Sequence, residues 1–263
     1  MVGGPVRELG GGTQMPMLGL GVWQMAAGRE TEQAVEWALE AGYRHFDTAT
    51  MYRNERSVGA ALARSGLPRG EVFVTTKWMP MVRSAPRELE RSLERLGLEY
   101  VDLYLIHWPV PLRSAHGWPE LQSLREAGQA RAVGVSNYGA DRLSRLVGDG
   151  GPTVDQVQFS PFNFRRALLE FCDANNVVLE AYSPLERGRV DDPRIAAIAA
   201  RLERTPAQVM LRWSVQRGVV VIPKSTHRDR IESNARIFDF ELGPDDMSSL
   251  DGLDRTGGTA DAR

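Results

Sequence analysis

Six apolar runs in this 263-residue chain end in polar residues that apolar packing alone does not call for. Asp47 ends His45-Phe46-Asp47, Lys77 ends residues 72–77, and His107 ends residues 101–107. Ser136-Asn137, Tyr182-Ser183 and Lys224-Ser225 end three more. Each has an ordinary explanation on its own: a lysine past a strand snorkels to solvent, a histidine there is hydrogen-bonded structure, an aspartate caps a turn. Six such ends converging on one mouth point instead to chemistry. A buried lysine beside an aspartate stays charged, and a nearby tyrosine hydroxyl feels that charge. Tyr52 follows Asp47 by five residues, in the loop 50–54. A free phenol titrates near about 10, and a neighbouring cation is expected to lower this toward the working range of a proton donor. His107, neutral and opposite, would hold a carbonyl oxygen. The sequence has no nucleophile elbow and no His or carboxylate cluster with metal-ligand spacing. A tyrosine acid without metal or nucleophile suits protonation of an alkoxide as hydride arrives from a nicotinamide.

The elements that must carry these residues alternate. Strand-like runs cover residues 18–23, 45–48, 72–77, 101–107, 132–137, 154–159, 177–183 and 219–225. Helical spacing covers 31–41, 54–65, 85–96, 118–127, 141–147, 166–174, 206–217 and 228–237. Helices between successive strands make the strands parallel, and eight such strands close a barrel. The expected fold is therefore a (β/α)8 TIM barrel, one domain over residues 1–263, with active groups at the C-terminal ends of the strands. An open doubly wound sheet would carry G-x-G-x-x-G after its first strand, and that pattern is absent. Gly10-Gly11-Gly12 reads as the turn of an N-terminal hairpin over 6–15, and the C-terminal tail as a short helix over 245–253 followed by a frayed end.

Composition narrows the partners. Basic residues number 32 and acidic 34, a net charge of -2, which argues against nucleic acid or an anionic membrane. No run approaches the roughly 18 apolar residues of a membrane span, and the N-terminus lacks an apolar signal core. Cys172 is the one cysteine, so no intrachain disulfide forms, and its apolar surroundings suggest a buried structural thiol. A cytoplasmic monomer acting on a small molecule is the expectation.

Several motifs, in order, resemble the aldo-keto reductase family. Residues 42–49 (GYRHFDTA) with Tyr52, Asn54, Glu55, Val58 and Gly59 resemble its first signature. Val74-Thr75-Thr76-Lys77, residues 105–109 (LIHWP), 134–137 (GVSN), 181–185 (AYSPL) and 222–225 (IPKS) follow, so the resemblance runs from about residue 7 to 253. The small prokaryotic members similar to 2,5-diketo-gluconate reductases are nearest in character. The resemblance implies Tyr52 as general acid–base, Asp47 and Lys77 as its tuning pair, and His107 orienting the carbonyl. It implies NADPH with its carboxamide on Ser136, Asn137 and Gln156, and Tyr182 stacked on the ring. Ser183 and Leu185 would lie along the pyrophosphate, with Val22 and Trp23 also near the cofactor. Lys224, Ser225 and Arg230 would grip the 2′-phosphate, and Asn234 the adenine. Two cations beside a hydroxyl suit a dianionic phosphate, which favours NADPH over NADH. Trp23, Trp78 and Trp108, with Met79 and Tyr52, are expected to line the substrate pocket. Ser233 stands where many members carry a glutamate against the adenine, implying quicker cofactor release. Ser160 replaces a common histidine without evident meaning. Trp78 directly after Lys77 alters the usual loop there, and the short tail implies an open pocket. The implied activity is reduction of aldehydes and ketones. The alternative is a nicotinamide-binding scaffold that senses redox state with little turnover.

Overall fold

The computed structural model describes residues 4–81, 83–148 and 150–262. A hairpin comes first: β1 (Val6–Glu8) pairs antiparallel with β2 (Gln14–Pro16) across a turn whose Gly10, Gly11 and Gly12 all have positive φ. Eight parallel strands then follow in chain order: β3 (Leu20–Gly21), β4 (His45–Asp47), β5 (Phe73–Trp78), β6 (Val101–Ile106), β7 (Ala130–Ser136), β8 (Val154–Gln158), β9 (Val178–Tyr182) and β10 (Val220–Val221). The sheet closes on itself beside β3, where Leu18 bridges Val221, Gly19 N–H donates to the Val221 carbonyl and Val221 N–H donates to that of Met17. The (β/α)8 barrel is as expected, although its seam strands are shorter than the sequence runs.

Side chains alternate between the barrel interior and the helix layer, as parallel strands require. On β5, Phe73, Thr75 and Lys77 point inward, whereas Val74, Thr76 and Trp78 point outward. Phe73, Leu103, Leu105, Ala132, Val154, Val178 and Val220 fill the lower interior, and the hairpin region closes it from below with Leu9 and Met15. The upper interior is polar, and that is where the strand-end residues collect.

The outer layer comprises α1 (Arg29–Glu40), α2 (Glu55–Ser65), α3 (Ala85–Leu96), α4 (Arg113–Glu126), α5 (Ala140–Leu143), α6 (Arg166–Ala174), α7 (Pro193–Leu202), α8 (Pro206–Gln216), α9 (Arg228–Asn234) and α10 (Pro244–Asp251). Their apolar faces pack on the outward strand residues in one continuous core. Three departures from the sequence expectation have physical causes. α7 had no counterpart, although Asp192 caps Arg194 N–H and Pro193 opens its first turn. α4 starts at Arg113, five residues before the expected 118, and tolerates Pro119 within it. The tail is not frayed: Arg165 donates to the Asp261 carbonyl, Ala140 N–H to that of Ala260, and Asp254 accepts from Phe164, Thr256 and Gly258 N–H.

Candidate active site

Lys77 is wholly buried and its ammonium meets three acceptors: Asp47 Oδ1 at 2.6 Å, the Thr48 carbonyl at 3.0 Å and the Tyr52 hydroxyl oxygen at 3.4 Å. Three acceptors match the three hydrogens of a charged ammonium. Asp47 accepts from Lys77 on one oxygen and from Gln156 Nε2, at 2.8 Å, on the other. Both oxygens of Asp47 thus receive N–H donors, the pattern of a carboxylate. Burial lifts the Asp47 carboxyl while Lys77 pulls against it. Burial also works to lower the Lys77 amine, but Asp47 and Tyr52 outweigh it and hold the amine above its ordinary value. An ionised pair results.

The loop carrying Tyr52 is pinned rather than free. After β4 the chain makes a 3-10 turn over Thr50–Tyr52, and Arg53 takes a left-handed conformation. Asn54 then ties the turn down, accepting from Thr48 Oγ1 and donating to the carbonyls of Val22 and Met25. Behind it, Glu55 is buried between Thr76 Oγ1, at 2.6 Å, and Arg95 Nε, at 2.5 Å. The Tyr52 ring stands edge-on to His107 with centroids 5.5 Å apart.

Two electrostatic outcomes differ in kind. Burial, aided by Lys77, pushes the His107 imidazole down to about 3, so it is neutral at any working pH. For Tyr52, burial outweighs the cation, and the phenol lies above its ordinary value instead of below it. The sequence expectation of a lowered value is corrected here, because it counted the cation and not the loss of water. The hydroxyl is fully protonated, and Lys77 offsets part of the burial cost of its anion.

These groups open onto a cavity of about 1370 Å³. It is lined by Tyr52, His107, Trp23 and Trp108, and also by Lys224, Ser225, Arg230 and Asn234. Ser136, Asn137, Gln156, Tyr182, Ser183 and Leu185 line it as well. Ser136 Oγ donates to the Gln156 carbonyl at 2.7 Å, and Tyr182 donates to Asn137 Oδ1 at 2.8 Å. Both amide hydrogens of Gln156 go to carboxylates, Asp47 Oδ2 and Glu180 Oε2, which leaves its carbonyl oxygen for the cavity. Among the described residues Lys224 and Arg230 form no ion pair, so both charges are available to an anion.

Three expected residues lie elsewhere. Trp78 does not line the cavity. Because Lys77 points into the barrel, the next residue must point out, and Trp78 packs against Gly117 while its indole donates to the Arg83 carbonyl. Met79 and Val22 are also off the wall; Val22 is buried, and its backbone joins Asp47 to Asn54. Other groups were not foreseen. His45 and Glu180 sit below the site at inward positions two residues before Asp47 and Tyr182, which alternation alone would have revealed. Ser160 has a role after all: it donates to Glu186 at 2.6 Å, and Gln158 reaches the same carboxylate. This fixes the loop from which Arg187 leans over Trp23, 5.7 Å from the ring centroid.

The model of the Aldo/keto reductase family matches residues 17–255. The chain belongs to that family. It is 45% identical over 260 residues to a 9,11-endoperoxide prostaglandin H2 reductase of Trypanosoma cruzi, covering 94% of this chain and 92% of that one. It is 42% identical to a glyoxal reductase of Bacillus subtilis, covering 94% and 92% respectively. Among solved structures, an aldo-keto reductase of Bombyx mori in complex with NADP superposes with a TM-score of 0.89 at 34% identity, covering 95% of this chain and 93% of that one. An aldo/keto reductase of Brucella melitensis gives 0.90 at 39% identity, covering 95% and 99%.

Proposed function

We propose that this aldo-keto reductase reduces aldehydes and ketones to alcohols with NADPH, and that Tyr52 donates the proton. One observation carries this reading: the Lys77 ammonium donates to the phenolic oxygen of Tyr52, so the hydroxyl's own hydrogen is left for a cavity ligand. The cavity residues fit the dinucleotide. Ser136, Asn137 and Gln156 would hold the carboxamide, Tyr182 would stack on the ring, and Lys224, Ser225 and Arg230 would take the 2′-phosphate. The NADP complex of the Bombyx mori relative supports this assignment. When bound, the reduced nicotinamide supplies hydride to the carbonyl carbon.

The residues of the chain do the rest. Neutral His107 can offer the carbonyl oxygen a hydrogen bond but not a proton. As negative charge grows on that oxygen, Tyr52 gives up its hydrogen, and the phenolate left behind is stabilised by the adjacent ammonium. Asp47 keeps Lys77 charged throughout. Trp23 and Trp108 supply apolar walls on the substrate side.

The test is NADPH oxidation across a panel of glyoxal, methylglyoxal, aldoses and aromatic ketones; glyoxal belongs there because of the Bacillus subtilis relative's name. Turnover of several members with NADPH favoured over NADH is expected. Tryptophan fluorescence that responds to NADPH without oxidation by any carbonyl would favour a redox-sensing scaffold instead.

A further inference from the structure

Glu180, on β9, is wholly buried in the barrel, and the mechanism above does not use it. Its Oε2 accepts from Gln156 Nε2 at 2.7 Å. Its Oε1 faces His45 Nε2 at 3.5 Å and has no hydrogen-bond partner in the protein. His45 is equally buried, and its Nδ1 lies 3.2 Å from the Pro16 carbonyl. A carbonyl oxygen only accepts, so Nδ1 carries a hydrogen and Nε2 of a neutral ring does not. Nε2 also lies 3.3 Å from Thr75 Oγ1, whose hydroxyl can donate to it. Oε1 has no such donor, so without a further proton it would face the Nε2 lone pair unsatisfied, an arrangement that buried polar groups avoid.

We propose that Glu180 is a positioning residue for the cofactor and works in its protonated form, sharing one hydrogen between Oε1 and His45 Nε2. Held this way, Glu180 Oε2 and Asp47 Oδ2 together fix the Gln156 amide with its nitrogen inward and its oxygen toward the cavity. That orientation presents an acceptor to the carboxamide of a nicotinamide. The inference rests on the cofactor assignment made above.

The protonated pair adds no net charge to the barrel floor. The charged or titratable neighbours that bear on Glu180 are Asp47 and His45 from β4 and Lys77 from β5. Gln156 from β8 supplies a neutral donor. Thr75 from β5 adds a neutral hydroxyl beside His45 Nε2, and Val220 on β10 stands in register with Glu180. Gly19 lets the His45 ring approach, since a Cβ there would lie 2.7 Å from the ring. Burial lifts the Glu180 carboxyl, against the opposing pull of Gln156 and Lys77, up to about 8, and Asp47 adds to the lift. Above that pH a second negative charge appears beneath the site. A positively charged oxidised nicotinamide then gains relative to the neutral reduced one.

The experiment measures the dissociation constants of NADPH and NADP+ by tryptophan fluorescence from pH 6 to about 9.5 in wild type and Glu180→Gln. The 2′-phosphate is common to both cofactor forms, so its titration cancels in the ratio. In wild type the ratio of the NADPH to the NADP+ constant should rise about fivefold through pH 8, the order expected of one charge acting through protein. In Glu180→Gln, which mimics the protonated carboxyl, the ratio should stay flat, with affinities at pH 7 within about twofold of wild type. A step that persists in Glu180→Gln overturns the proposal, and so does a flat wild type.

A second measurement needs no cofactor. The unfolded carboxyl ionises near 4.5 and the folded one near 8, so wild-type stability falls as pH rises between those values and levels off above. The melting temperature of Glu180→Gln should therefore exceed that of wild type by several degrees at pH 8, with the gap closing toward pH 5. No gap, or a variant that fails to fold, means the site needs the carboxylate charge and overturns the proposal. If neither cofactor form binds at any pH, the functional reading fails, while the melting comparison still decides the protonation of Glu180.

Discussion

Replacing Lys77 with methionine keeps the bulk of the side chain and removes its charge. The ammonium lies 3.4 Å from the Tyr52 oxygen. At an effective dielectric of about 20, a unit charge at that separation favours the phenolate by about 5 kcal/mol. If about half to three-quarters of that is realised in the transition state, kcat falls by about seventy- to six-hundredfold. The substitution also strands Asp47, which keeps one donor, Gln156, in a fully buried setting. Its carboxyl should then take up a proton, because burial already pushes upward and the opposing cation is gone. The folded acid would hold its proton to a higher pH than the unfolded acid, so Lys77→Met should lose stability relative to wild type as pH rises above the ordinary Asp value. The assay is steady-state carbonyl reduction at saturating NADPH, with melting temperature measured in parallel from pH 5 to 8. A Lys77→Met protein that keeps kcat within about threefold of wild type would refute the role given to the ammonium.

Three further outcomes follow from the geometry. Tyr52→Phe removes the donor hydroxyl but none of the cofactor wall, so turnover should fall by about a thousandfold while NADPH affinity, read by tryptophan fluorescence, changes by less than about twofold. Lys224→Met should weaken NADPH about tenfold and leave NADH unaffected, as expected for one lost charge-assisted contact to the 2′-phosphate; equal weakening of both would place Lys224 elsewhere on the cofactor. Because the His107 imidazole stays neutral down to about 3, kcat should show no imidazole step between pH 5 and 7.5, and a wild-type step near the ordinary value of about 6.5 that vanishes in His107→Gln would contradict a neutral histidine.

The barrel and most of its chemistry were legible because both rest on short-range patterns. Strand runs and helix spacing are local, and strand ends in a closed parallel barrel converge by topology, so Asp47, Lys77, His107, Asn137 and Tyr182 could be gathered before any coordinates, whereas Gln156, inside its run, came only from the family resemblance. What escaped depends on which way a side chain faces or on what lies across the barrel. The outward turn of Trp78 followed from Lys77 pointing in, and that step was not taken. His45 and Glu180 occupy inward positions by the same rule, but they look like ordinary strand residues until their proximity across the interior is known. The value for Tyr52 was misjudged because proximity of a cation can be read from sequence, whereas the depth of burial that opposes it cannot. The bonds between the tail and Arg165 or Ala140 span long stretches of chain, with no local signal to announce them.

The chain contains two lysines, one sealed inside the barrel and the other exposed on the rim of the cavity. Apart from the chain terminus, an amine-reactive dye therefore has a single accessible target, Lys224, at the mouth through which the dinucleotide would enter. A fluorophore placed there becomes a built-in reporter of occupancy. For the same reason, immobilising the protein through its amines would block the entrance, and capture through another chemistry would leave it open.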